Sequence, residues 1–86
     1  MPKVSEFFGI AIYVYYREHG PPHFHALYAG EEVLIAIEGL SVLSGSLNPR
    51  ALGLVMEWAT QHHEELQGVW RQAEAHEPLS SIPPLR

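Results

Sequence analysis

His23-Phe24-His25-Ala26-Leu27-Tyr28-Ala29-Gly30-Glu31-Glu32-Val33-Leu34-Ile35-Ala36-Ile37-Glu38 is the stretch whose reading decides the fold. Side chains of a strand alternate between its two faces. Phe24, Ala26 and Tyr28 therefore share an apolar face over residues 23–29, and Val33, Ile35 and Ile37 share one over residues 32–38. Gly30 between the two runs marks a tight hairpin. A two-residue turn at Gly30-Glu31 sets Tyr28 against Val33, Ala26 against Ile35 and Phe24 against Ile37. A slip of one residue would bring Phe24 onto Glu38, which the apolar pattern forbids. In this register His23 faces Glu38 and His25 faces Ala36.

Toward the N-terminus, Phe8, Ile10, Ile12, Val14 and Tyr16 alternate with more polar positions, the pattern of a half-buried strand over residues 8–17. With Tyr16 beside Phe24, Arg17 falls next to His23 and Tyr15 next to His25. The face turned from the core then gathers Tyr15, Arg17, His23, His25 and Glu38. The rows are fixed to within two residues, whereas the sharing of one face follows from parity. Toward the C-terminus, residues 42–47 offer a short fourth strand. Asn48-Pro49 then opens a helix, Asn as N-cap and Pro at the first helical position. Leu52, Val55, Ala59, His62, Leu66, Val69 and Ala73 trace its apolar stripe, and Pro78 ends it just after His76. A helix of about 27 residues spans about 40 Å, against about 25 Å for an eight-residue strand. Either Gly68 bends it, or its end projects and offers Trp70 to a dimer mate or partner. The expectation is an α+β fold: an antiparallel sheet of three or four strands with one long C-terminal helix packed on one face. Residues 1–77 form the single domain and residues 78–86 an extended, proline-rich tail.

Composition narrows the function classes. Eighty-six residues make one small domain. The chain has no cysteine, hence no disulfide and no thiolate site, which fits a reducing cytoplasm. The longest apolar run, residues 7–16, is too short to cross a bilayer and lacks the features of a signal peptide. A soluble, cytoplasmic protein without a membrane role is expected. The net charge is −5, and the basic residues Lys3, Arg17, Arg50, Arg71 and Arg86 are scattered. That argues against stand-alone DNA binding, which needs clustered cations against phosphates. Contact with RNA through one arginine and some aromatics stays open.

The chemistry concentrates in His19-Gly20-Pro21-Pro22-His23-Phe24-His25. Consecutive prolines stiffen the approach to the strand, and His23 and His25 stand about 7 Å apart on one face. Imidazole nitrogens at that spacing suit a divalent transition metal such as zinc. His19 joins them as the expected metal set His19, His23 and His25, with Glu38 as the other choice of third ligand. Neither HExxH nor HxHxDH is present. A metal-free alternative uses one imidazole to take a proton from a 2′-hydroxyl and the other to protonate the leaving oxygen. Arg17 would stabilise the charge that develops, and Tyr15 and Glu38 complete this candidate catalytic set with His23 and His25. The plainest alternative packs both rings on Tyr13 and Tyr15 and bonds them to Glu38 or to the turn. His62 lies on the helical stripe, on the opposite side of the sheet from His25, and reads as a partly buried histidine. His63 and His76 read as solvated, and Trp58 and Trp70 as core or interface residues.

The order of these residues resembles one small bacterial family. The resemblance is carried by Met1-Pro2-Lys3-Val4-Ser5, Phe8-Gly9-Ile10, His19-Gly20-Pro21-Pro22-His23-Phe24-His25-Ala26 and Tyr28. It continues through Arg50-Ala51-Leu52, Glu57-Trp58-Ala59, His62, Glu65-Leu66 and Trp70. The family is domain of unknown function 4160. The resemblance implies a short bacterial protein whose gene often neighbours another small family, domain of unknown function 2442, in an arrangement like a toxin–antitoxin pair. The expected role is then a partner-binding component of a two-gene module, with the histidine face as its working surface and a homodimer as the other assembly. Two alternatives stand beside it: a metal-assisted or His-dependent hydrolase acting on RNA or a nucleotide, and a non-catalytic metal-binding protein. Family motifs map onto His23, His25, His62 and Trp70 without a catalytic assignment. The chain departs from the family pattern at residues 40–46, where relatives are more acidic, and at His63, where they are more basic.

Overall fold

The computed structural model describes residues 2–86. Five strands, β1 (Lys3–Phe7), β2 (Ile10–Tyr13), β3 (His23–Tyr28), β4 (Glu31–Ala36) and β5 (Val42–Gly45), form one antiparallel sheet in sequential order. Two helices follow, α1 (Pro49–Gln61) and α2 (His63–Glu74). The α+β class and the antiparallel sheet are as expected; the count of three or four strands and the single long helix are not.

The extra strand comes from the N-terminus. Residues 8–17 are not one strand: Phe8 and Gly9 both take positive φ, 50° and 78°, and turn the chain tightly between Phe7 and Ile10. That is the backbone of a two-residue hairpin turn whose twist matches its strands. Ile10, Ile12 and Val14 are buried, while Phe8 and Tyr16, at the ends of the same alternation, are exposed. The second hairpin turns in the same way at Ala29-Gly30, φ 52° and 81°. The turn therefore falls one residue earlier than Gly30-Glu31, and the register moves by two. Phe24 pairs with Ile35, Ala26 with Val33 and Tyr28 with Glu31. His23 consequently faces Ala36 rather than Glu38, and His25 faces Leu34 rather than Ala36. A shift of two preserves parity, so the same side chains face the core.

The helical stripe breaks at His62, where the backbone leaves the helical region (φ −116°, ψ 30°). Hydrogen bonds from His62 N to Trp58 O and from Leu66 N to His62 O carry the chain through the break. This kink, not Gly68, reconciles the long stripe with the shorter sheet. Asn48 caps α1 as expected, its side chain accepting from Arg50 N and Ala51 N ahead of Pro49. The core lies between one sheet face and the helices. Trp58 is its hub, with ring centroids 5.3 Å from Phe7 and 5.9 Å from Phe24. Residues 75–86 form neither helix nor strand, yet they close over this core. Ile82 N bonds Val4 O at 2.8 Å, Trp58 Nε1 donates to Pro83 O at 2.8 Å, and Ile82 and Leu85 are buried. Among the described residues, no helix is long and apolar enough to cross a membrane.

Candidate functional site

His23 and His25 project from β3 on the face away from Phe24. They are 5 % and 9 % exposed, so this is not the half-open face that parity alone describes. Residues 14–22, which link β2 to β3, fold over it and bring Tyr15 and Glu18 onto the imidazoles. Tyr15 meets His25 edge-on at 4.6 Å and stacks on Tyr13 at 5.7 Å. Tyr15 reaches His25 from the loop; the strand neighbour of His25 is Tyr13. The His23 and His25 ring centroids stand 5.3 Å apart. Trp70 of α2 closes the other side at 5.3 Å from His23. Trp70 is therefore buried beside a histidine and does not project at a helix end.

The hydrogen bonds orient both rings. Pro21 carbonyl can only accept, so His23 Nδ1 donates to it, at 2.8 Å. His25 Nδ1 lies 2.9 Å from a Glu32 carboxylate oxygen. Both Nε2 atoms converge on Glu18 Oε1, at 3.3 Å from His23 and 2.6 Å from His25. One donor atom each from Glu18, His23 and His25 fits within a 4.8 Å cluster. The hydrogen bond from His25 is the main reason that the Glu18 carboxyl titrates below its ordinary value of 4.5; His23 adds to the effect and partial burial opposes it. Burial, aided by the charge of Glu32, raises the Tyr15 hydroxyl above its ordinary 10.0, so it stays a neutral donor at physiological pH.

Glu18 opens onto a cleft of about 610 Å³ between the 14–22 loop and α2, lined also by Tyr15, Arg17, His19, Trp70, Glu74 and His76. A family model described as "Domain of unknown function (DUF4160)" matches residues 9–71. The chain belongs to the DUF4160 family. The match takes in the whole β2–β3 connection and both histidines of β3. No curated protein and no solved structure matches the chain.

In this DUF4160 chain the expected site residues divide into two groups. His23, His25, Tyr15 and Arg17 lie at or beside the cluster. His19 lines the cleft but is outside the three-residue donor cluster, whose third member is Glu18. Glu38 lies beyond the end of β4 and accepts from Gln67 Nε2 of α2 at 2.8 Å. His62 packs against Trp58 at 5.8 Å and bonds Glu65, on the core side as expected. His63 is not simply solvated, because its Nε2 bonds the Ile37 carbonyl at 2.8 Å. Two site residues escaped the sequence reading. Glu18 stands immediately before the histidine motif, its role hidden by the unknown path of the loop. Glu32 is the diagonal cross-strand neighbour of His25, visible only once the turn is placed at Ala29-Gly30.

Proposed function

We propose that this DUF4160 protein binds a divalent transition ion, such as zinc, through Glu18, His23 and His25, with a further coordination position facing the cleft. One observation carries the reading: both imidazoles are anchored through Nδ1, to Pro21 carbonyl and to Glu32, so that both Nε2 atoms point at one carboxylate. Histidine ligands of metals characteristically give their second nitrogen to a carbonyl or carboxylate, which fixes ring and tautomer. A divalent ion between the two Nε2 atoms and the Glu18 carboxylate would accept an electron pair from each, and donating one is the role that neutral imidazole nitrogen and carboxylate oxygen take at such sites. Two histidines and one carboxylate are also a ligand count that leaves room for water, as catalytic rather than structural zinc does. A metal-bound water of lowered pKa supports hydrolysis, so the metal-assisted hydrolase is favoured over a site with no chemistry. The partner-binding reading draws less support, since the histidine face expected as its working surface is buried beneath the 14–22 loop, with Trp70 packed on His23.

Tag-free protein loaded with zinc and freed of excess should retain about one ion per chain by elemental analysis. His25→Ala and Glu18→Gln should lose it, Glu32→Gln should weaken it about 10–100-fold, and Glu38→Gln should leave it unchanged. Wild-type protein that folds normally yet retains no metal would remove the reading.

A further inference from the structure

Arg17 is the only lysine or arginine lining the cleft. It is exposed, and among the described residues it makes no ion pair. Its backbone sits in the left-handed region at φ 64°. That conformation is unfavourable for a side chain with a Cβ and marks positions held by their surroundings, often near functional sites. Here the strained residue immediately precedes Glu18, and both line the same cleft. A glycine would meet the backbone requirement more easily, so the turn alone does not account for an arginine.

We propose that the cleft binds a compact oxyanion, phosphate or carboxylate, bridged between the ion held by Glu18, His23 and His25 and the guanidinium of Arg17. The proposal rests on the metal reading above. A planar guanidinium presents paired N–H donors that match two oxygens of such a group. A bound dication would take a third oxygen or share one of the two. Tyr15 adds a neutral hydroxyl on the same wall. Glu74, the other acid of the cleft, belongs to α2 and opposes anions, so the positive charge of both the ion and Arg17 is needed. The cleft volume lies within the range of small-molecule sites, which admits a phosphate or carboxylate carried on a larger metabolite.

The test measures inorganic phosphate and oxalate binding to zinc-loaded protein by calorimetry, with zinc content determined on the same samples. Wild type should bind at least one of the two probes; phosphate alone points to a phosphate-bearing ligand and oxalate alone to a carboxylate. Arg17→Ala and Arg17→Gly should each keep their zinc and weaken anion binding at least about tenfold, the loss of one charged hydrogen-bonded contact. Arg17→Lys should fall between them and wild type. Arg17→Gly, relieved at φ, should melt at or above wild type, which separates anion recognition from loop integrity. Unchanged anion binding in both the Ala and Gly variants would overturn the proposal and leave the metal site standing. Loss of zinc from Arg17→Gly would overturn it too, by showing that Arg17 serves the metal shell. A wild-type protein that takes up no zinc would bring down the metal reading and this proposal together.

Discussion

At the scale of single residues, the sheet hides one polar group with no partner. A bulge between Lys3 and Ser5 turns both Val4 and Ser5 inward, and Ser5 Oγ is buried without a hydrogen bond among the described residues. A buried unsatisfied hydroxyl costs about 1–3 kcal/mol. We predict that Ser5→Ala stabilises the protein by about 1 kcal/mol in urea unfolding; a lower midpoint would show that the hydroxyl has a partner. Glu18 sets a second expectation. A carboxyl whose pKa is depressed by folding stabilises the native state above its unfolded value, and that contribution disappears as pH falls through the folded value. Metal-free wild type should thus lose more stability between about pH 5 and about pH 3 than metal-free Glu18→Gln does. Parallel stability–pH curves for the two proteins would contradict this. The same residue measures what the sequence reveals. His23 and His25 announce themselves by density and parity. Glu18 does not, because nothing in residues 14–22 tells which side chain the loop will turn inward, and the left-handed Arg17 that turns it is an improbable conformation for any local rule to assign.

Among the elements, β5 shows how a short edge strand depends on one position. Gly45 has φ 78°, and a Cβ there would stand 2.2 Å from the Glu32 carbonyl oxygen. The left-handed backbone alone costs a substituted residue about 1–3 kcal/mol, and the clash adds to it. Gly45→Ala should therefore lower the melting temperature and, by displacing Glu32, weaken metal retention at His25. A variant that loses stability but keeps full zinc affinity would show that β5 does not position Glu32. At this scale the sequence is informative about kind and poor on boundaries. The alternating faces of β3 and β4 are legible from side-chain period alone. Their register is not, because Ala29 gives no sign that it accepts a positive φ better than Glu31. The hairpin at Phe8-Gly9 is hidden for the same reason: an exposed phenylalanine continues the apolar alternation across a turn. The helical break is legible only as a mismatch in length. Its location at His62, beside Trp58, is not encoded in the stripe.

At the scale of the whole molecule, a small core depends on its last residues. A domain of this size buries only about 60–65 % of its unfolded surface, so single contacts weigh heavily. Ile82 is 3 % exposed within the core, and truncating a buried isoleucine typically costs about 2–5 kcal/mol. We predict a loss of that size for Ile82→Ala by chemical denaturation; a cost within the surface range of about 0.5 kcal/mol would mean that the tail is not docked in solution. The hydrogen bond from Ile82 to Val4 has a consequence for chain connectivity. It brings the first strand and the final segment side by side, so that the polypeptide traces an almost closed loop. Joining the segment after Leu85 to Lys3 through a flexible linker and reopening the chain at the exposed Phe8-Gly9 turn would give a circular permutant that keeps every strand pairing and cuts only the first turn. In such a molecule the order of the chain would change, while the histidine cluster, the loop that covers it and the helix behind it would remain one uninterrupted stretch.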